Sequence, residues 1–450
     1  MKKIFAVIAF ALVAVCLVTP KFIAPKFQEQ VITLVDKINK TSGYTAIIES
    51  TESSWFGSTY VISFGLDLGM YEPAYENQKL DLQLVLDAKY GPLLLANQGI
   101  VGLYEAKLKI AADEQRQILA WDEAEPLYQL SAVGGFGGDI KIEDTIPAFS
   151  KLDNGLTFSG YNGEGKISRD AVAYEGLLAL VNLDDPYQPV KAENITLSMQ
   201  MEAGLESILK GGFYNSTTSF SIDSFTVGTD IKASNLSMLV KMILDEETQL
   251  GSLEVGYFAK ELVYNEYQVS DFILKSELAK LSNQFFIDYT RFNDSLVDQN
   301  LASDEFLIEQ LSFLQDSFAE LLSHQPEFNI TDFSATFPEG RFNASLTSKL
   351  ADIETPTFDE MLIPEFWLFN TLASINIEAD DALISNFVER FLATKMRTTI
   401  NSPDVKQQAR IIINSFEQQD FIFHEDSQYR SEITLKDGQA NINGRPFPLM

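Results

Sequence analysis

The sequence predicts an α+β protein: an N-terminal membrane helix, a large antiparallel β-meander sheet, and a C-terminal half in which helices pack on further strands. Three observations carry this. Ile4 to Val18 is a run of fifteen apolar residues without a charge. From Thr59 onward, apolar side chains alternate with polar ones, the period of a half-buried strand. Beyond Ser276 the apolar spacing changes to that of helices.

The amino-terminal run is preceded by Lys2 and Lys3 and followed by Thr19, Pro20 and Lys21. A bilayer core of about 30 Å takes about 20 helical residues, so this run stands between a spanning helix and a signal-peptide core. The flanking lysines can snorkel, and Phe22, Ile23 and Ala24 extend the apolar surface. A signal peptidase needs small residues after the run, but Ala14 and Cys16 lie inside it. Lipidation at Cys16 would want a small residue where Val15 stands. The preferred reading is an uncleaved anchor carried by Ile4, Phe5, Val7, Ile8, Phe10, Leu12, Val13, Leu17 and Val18, with a cleaved signal and a lipidated Cys16 as alternatives. The lysines before it put the amino terminus in the cytoplasm and export the rest, on a single pass.

Segments follow in order. Phe27, Val31, Leu34, Val35 and Ile38 recur at helical spacing, which predicts an amphipathic helix next to the membrane over 23–43. A β-rich domain is expected over 44–275 and a mixed domain over 276–450, after an anchor segment of 1–22. In the first, Tyr60, Ile62, Phe64, Leu66 and Leu68 form one apolar row and Leu80, Leu82, Leu84 and Leu86 another. Further strands are expected near Lys107–Ile110, Tyr128–Val133, Asp139–Glu143, Leu156–Tyr161 and Ile167–Leu180. Gly134, Gly135, Gly137 and Gly138 around Phe136 lack the lysine and the helix of a phosphate loop, and mark a turn. Lys191–Met201 and Ile231–Met242 look like two versions of one unit about forty residues apart, each with an asparagine before an alternating strand.

In the mixed domain Leu307, Leu311, Leu314, Phe318 and Leu321 trace one helical face, and strands over Phe328–Phe337 and Arg341–Ser348 are joined at Pro338-Glu339-Gly340. Two helices come next, over Asp380–Thr399 and from Ser402 as N-cap with Pro403 as first residue. A hairpin turning at Asp437-Gly438 closes the chain.

Composition bounds function. With 33 basic and 64 acidic side chains the net charge is −31, which repels phosphate backbones and excludes nucleic acid as a partner. The single cysteine lies in the anchor, so the exported body holds no disulfide. Two histidines far apart, His324 and His424, and no G-x-S-x-G elbow give no hydrolase constellation and no zinc set. No catalytic, cofactor-binding or metal-binding residue is assigned. Sixty-four acids offer many candidate carboxylate pairs, so a glycan hydrolase stays as an alternative without named residues.

Several stretches together resemble the YdgA-type family of bacterial envelope proteins, whose function is unassigned. Ser54-Trp55-Phe56-Gly57-Ser58 resembles its aromatic motif before the first long strand, though without the preceding arginine. Tyr90-Gly91-Pro92-Leu93 resembles its Gly-Pro motif. Leu435-Lys436-Asp437-Gly438-Gln439, followed by Asn441, Ile442, Asn443 and Gly444, resembles its terminal hairpin. The resemblance implies an inner-membrane protein with a periplasmic body and offers no catalytic residue.

The functional expectation is a non-catalytic envelope protein that binds partners or apolar molecules such as lipid chains through its sheet. Phe64, Leu66, Leu82 and Leu84 are the candidate groove. A structural module that oligomerises or meets an envelope partner without a small ligand is the alternative.

Overall fold

A computed structural model describes residues 2–40, 43–70, 79–96, 99–151, 155–265, 267–297, 303–351, 353 and 356–448, with the backbone alone over 2–17 and 303–307 and at 70, 95, 96, 114, 297, 358 and 361. The chain is α+β and divides into two compact units, Met1–Lys210 with Arg291–Phe306, and Gly211–Thr290 with Leu307–Met450. The expected domain boundary after residue 275 falls inside a strand, Tyr267–Ser282.

The first unit opens with helix α1 (Lys2–Lys40), which runs on through Pro20 and Pro25. Among the described residues no helix is long and apolar enough to cross a membrane. The side chains expected to form the anchor, Ile4 to Leu17, lie outside the described residues, and Val18 at their end is exposed. The meander that follows comprises β1 (Tyr44–Ser53), β2 (Gly57–Asp67) and β3 (Lys79–Tyr90), then a small separate hairpin of β4 (Leu93–Ala96) and β5 (Gly99–Val101). Next come β6 (Tyr104–Ile110), β7 (Leu119–Ala120), β8 (Tyr128–Gly134), β9 (Ile140–Ile146), β10 (Phe149–Lys151) and β11 (Leu156–Phe158). Then β12 (Tyr161–Ile167), β13 (Val172–Leu183) and β14 (Val190–Met201) complete the sheet before the short α2 (Leu205–Leu209). Strands pair antiparallel in the order β1-β2-β3-β6-β8-β9-β12-β13-β14.

The expected strand Ile167–Leu180 is broken at its start. Ser168 N–H and its hydroxyl both donate to Ala171 O, at 2.8 and 3.0 Å, and this local bonding makes a turn where the sequence pattern suggests continuation.

The core of this unit is the contact between α1 and the sheet. Phe27, Val31 and Val35, one helical stripe, are buried against Ala46, Tyr60, Ile62, Ala88 and Tyr90, with Leu84, Leu86 and Tyr104 packed around them.

The second unit holds β15 (Ser216–Val227), β16 (Ile231–Asp245), β17 (Leu250–Tyr264) and β18 (Tyr267–Ser282). Helices α3 (Asn283–Val297) and α4 (Ser303–Leu322) follow, with their stretch Arg291–Phe306 counted in the first unit, then β19 (Glu327–Phe337), β20 (Gly340–Leu350), α5 (Phe358–Met361), α6 (Pro364–Asn370) and β21 (Thr371–Asp380). The chain ends with α7 (Asp381–Met396), α8 (Pro403–Gln418), β22 (Phe423–Glu425), β23 (Gln428–Lys436), β24 (Gln439–Ile442) and β25 (Arg445–Phe447). Consecutive strands from β15 to β21 pair antiparallel, and β23 continues the sheet beyond β21. The helical pattern expected from Ser276 begins at Asn283, because β18 extends through Ser282. Ser402 takes the extended cap backbone with Pro403 behind it, as expected, but its hydroxyl makes no capping bond. α7 and α8 pack through Leu392, Ala393, Val405 and Ala409, with Val405 fully buried.

The suspected repeat has a backbone counterpart. Asn194 in β14 and Asn235 in β16 both adopt left-handed conformations inside a strand, with φ of 52° and 48°. Asparagine tolerates this region better than most residues, so the matched asparagines mark matched irregularities.

Candidate functional site

The second unit's sheet has one apolar face that its helices leave half open. Cross-strand pairing aligns Phe220, Met238, Tyr257, Leu274 and Phe333 in one row over β15 to β19. A parallel row carries Val240, Val255, Ile330, Leu346 and Ile375, with Ser276 of β18 standing between Val255 and Ile330. None of these ten side chains is buried. Phe333 is braced by edge contacts from Phe272 and Phe342, at ring distances of 6.2 and 5.1 Å. Rows of mostly apolar side chains spaced by the strand separation of about 4.8 Å offer a largely non-directional surface, in which the Ser276 hydroxyl is turned to Val255 O at 3.4 Å.

The opposite face is polar. On β20 to β23 it carries Asn343, Glu378 and Arg430 in one row and Ser345, Asn376 and Glu432 in the next, around a shallow hollow of about 460 Å³. Arg430 Nε donates to Glu378 Oε1 at 2.5 Å, so the one cation in this hollow's lining is already neutralised.

The candidate groove residues of the first unit lie on one face, with Phe64 opposite Leu82, Leu66 opposite Leu80, and Leu84 opposite Ile62. Leu84 belongs to the core beneath α1, whereas Phe64, Leu66 and Leu82 are half-buried further along, with the Phe64 ring 5.9 Å from Tyr44.

The motif residues sit at turns. Trp55 and Phe56 occupy the β1–β2 turn, closed by Ser54 N–H donating to Gly57 O, and both are more than half exposed. Gly91 lies against the Gly102 backbone so closely that a Cβ would collide with its carbonyl oxygen, and Pro92 follows in a cis peptide. Asp437 and Gly438 have φ of 51° and 71°, and Asn443 and Gly444 have 51° and 80°, the pattern of primed hairpin turns at both positions. Asn443 also accepts from Glu432 N–H at 2.8 Å and donates to Asp420 O at 2.8 Å, tying the last hairpin to the end of α8.

A family model described as a bacterial protein of unknown function (DUF945) matches residues 1–450. The chain belongs to that family. The expected resemblance to a bacterial family of unassigned function is met at that level. No curated protein and no solved structure matches the chain.

Two polar clusters of this DUF945 member were not visible in its sequence. In the first unit, buried Asp144 accepts from Tyr174 at 2.8 Å and from Tyr128 at 3.2 Å, and the Tyr161 and Tyr174 hydroxyls are also in contact. Burial, and then the Asp144 charge, pushes the Tyr128 hydroxyl up to about 12, and burial with the Tyr161 contact raises Tyr174 as well. Phenols held neutral in this way serve as fixed donors to Asp144. Elsewhere Glu105, also buried, lies 3.0 Å from Lys107 and 3.3 Å from Lys89. The Asp144 carboxylate accepts a hydrogen bond on each oxygen, whereas Glu105 Oε2 is buried with the Lys89 ammonium 3.3 Å away and no hydrogen bond.

His324 lies 3.9 Å from Glu320, and His424 lies 3.7 Å from Asp381 with its ring against Tyr429. Among the described residues no group of three or more histidine, cysteine or acidic side chains is arranged to hold a metal.

Proposed function

We propose that this DUF945 member is a non-catalytic protein of the bacterial envelope, tethered to the inner membrane by α1, with its body in the periplasm and an apolar sheet face that accommodates hydrocarbon chains. The row Phe220, Met238, Tyr257, Leu274 and Phe333 carries the reading. Its five strands span about 19 Å at the spacing of adjacent strands, the scale of one extended acyl chain. A closed core would bury these side chains, yet none is buried and Tyr257 is 45% exposed. The fifteen uncharged residues at the start of α1 support the tether, since they would hold the body beside a source of lipid.

The test is mass spectrometry of lipid extracted from the purified full-length chain, with displacement of a fluorescent fatty acid. Wild type should carry bound lipid and bind the probe, and Met238→Asp and Leu274→Asp should lose both while keeping the circular dichroism of the wild type. Absence of both lipid and probe binding from the wild type would overturn the reading.

A further inference from the structure

We infer that one end of the first unit's sheet is itself a lipid-contact surface, whose turns dip into the headgroup region of the bilayer beside the tether. Three connections come together at this end. The β1–β2 turn is fixed to the end of β3 by Tyr90 N–H donating to Phe56 O at 2.8 Å. The β4–β5 hairpin springs from the same place, held at its base by Gly91 N–H to Leu103 O at 2.7 Å and Gly102 N–H to Pro92 O at 3.0 Å. The β8–β9 turn is joined to them by Leu103 N–H donating to Gly134 O at 2.7 Å.

Each connection presents large apolar side chains to solvent. Trp55 and Phe56 on the first, Leu93, Ile100 and Val101 on the second, and Phe136 on the third are all more than half exposed. The stretch Gly91 to Leu103 contains no charged residue. The opposite end of the same sheet is built differently. Its β6–β8 connection, residues 111–127, carries five acids and one arginine, and its β13–β14 turn begins Asp184-Asp185. The acidic end also exposes Ile118 and Tyr187, singly and among acids, and the β12–β13 turn at the apolar end carries Arg169 and Asp170; what stands out is that six large exposed apolar side chains gather on three adjoining connections.

The helix says what lies against the apolar end. Phe27 of α1 packs there, with its ring 5.8 Å from Tyr90 and 5.5 Å from Tyr104. From Phe27 the helix continues toward its amino terminus, past exposed Phe22, and reaches Val18 about 14 Å further on at 1.5 Å per residue. The uncharged run begins there, so the apolar turns stand beside the helix close to where it would enter hydrocarbon. Tryptophan and phenylalanine next to aliphatic side chains are the composition that partitions into an interface. With a net charge of −31, attraction to anionic headgroups cannot drive this contact, so it depends on apolar burial and is insensitive to salt.

This inference rests on the tether, and the experiment separates the two. Full-length protein is reconstituted into phosphatidylcholine vesicles, with or without bromine on the acyl carbons nearest the headgroup, and recovered by flotation. In a Cys16→Ser background, an environment-sensitive fluorophore is attached through Ile100→Cys, Phe136→Cys or, on the acidic end, Tyr187→Cys. Labels at 100 and 136 should shift to the blue and lose most of their emission in brominated vesicles at low and high salt alike, while the label at 187 should do neither. Tryptophan emission should be quenched more in the wild type than in Trp55→Phe. Protein that floats while labels at 100 and 136 behave like the one at 187 leaves the tether standing and overturns the inference. So does a blue shift without quenching, which would mean a protein surface covers the turns. Protein that does not float overturns the tether, and the inference with it.

Discussion

Asn39 and Ala46 exchange two hydrogen bonds: the side-chain amide of Asn39 donates to Ala46 O at 2.8 Å, and Ala46 N–H donates to Asn39 Oδ1 at 2.6 Å. The asparagine thus behaves toward β1 as a neighbouring strand would, and it joins the last turn of α1 to the first strand of the sheet. Asn39→Ala leaves a donor and an acceptor of Ala46, a buried residue, without these partners, and should cost about 1–3 kcal/mol. Asn39→Asp keeps the acceptor alone and should fall between. Urea denaturation gives the size, and faster amide exchange at Ala46 gives the location.

Leu84 and Met238 test the difference between closed and open apolar surface. Leu84 packs into the core under α1, so Leu84→Asp places a charge where it has no partner and should cost about 3 kcal/mol or more. Met238 is half-exposed in the open row, so Met238→Asp should change stability by about 1 kcal/mol or less and remove binding of an apolar probe. Equal losses of stability would show that the row is core.

Much of the secondary structure was legible because its signals are local. Period-2 alternation located β2 and β3, and Asp437-Gly438 fixed its turn by backbone preference. What alternation could not give was which apolar face a helix covers. Leu84 and Leu82 look alike in sequence, yet only Leu84 packs into the core beneath α1. The clustering of Phe56, Ile100 and Phe136 was equally hidden, since it depends on how connections far apart in sequence meet through the pairing of β3, β6 and β8. Asp144 read as one acid among sixty-four until the sheet brought three tyrosines together at it.

Asp380 should give the second unit a measurable acid sensitivity. The N–H of Arg341 at 2.8 Å and the amide of Gln428 at 3.0 Å hold its carboxyl below the ordinary value of 3.8. A carboxyl depressed in the folded state contributes stability above the unfolded value, near 3.9, and loses it as pH falls through the folded value. The thermal midpoint should therefore drop on acidification below about pH 4 more steeply in wild type than in Asp380→Asn. Superimposable curves would remove Asp380 from the acid response.

The tyrosine cluster should be readable by alkaline titration. Asp144→Asn removes the charge but not the burial, which is the larger cause, so Tyr128 should titrate somewhat below its value of about 12 and still above an ordinary phenol. Gly163 lies beneath this cluster, and a Cβ there would collide with the Tyr174 hydroxyl and the Asp144 carboxylate. Gly163→Ala should then destabilise the first unit by about 1–3 kcal/mol through overpacking. Absorbance of the phenolate against pH checks the first outcome and urea denaturation the second.

Gly438, in the β23–β24 turn, and Gly444, in the β24–β25 turn, separate backbone strain from crowding. Both have positive φ, 71° and 80°, so alanine at either pays the left-handed penalty of about 1–2 kcal/mol. At Gly444 a Cβ meets nothing within 4 Å, whereas at Gly438 it would strike the ring of Phe369 on α6. Gly438→Ala should therefore cost more than Gly444→Ala, and Phe369→Leu should recover part of the excess at Gly438 while leaving Gly444→Ala unchanged. A double-mutant cycle in urea measures the coupling. A coupling near zero would mean that the Phe369 ring moves aside at no cost and that the glycine is required by its backbone alone.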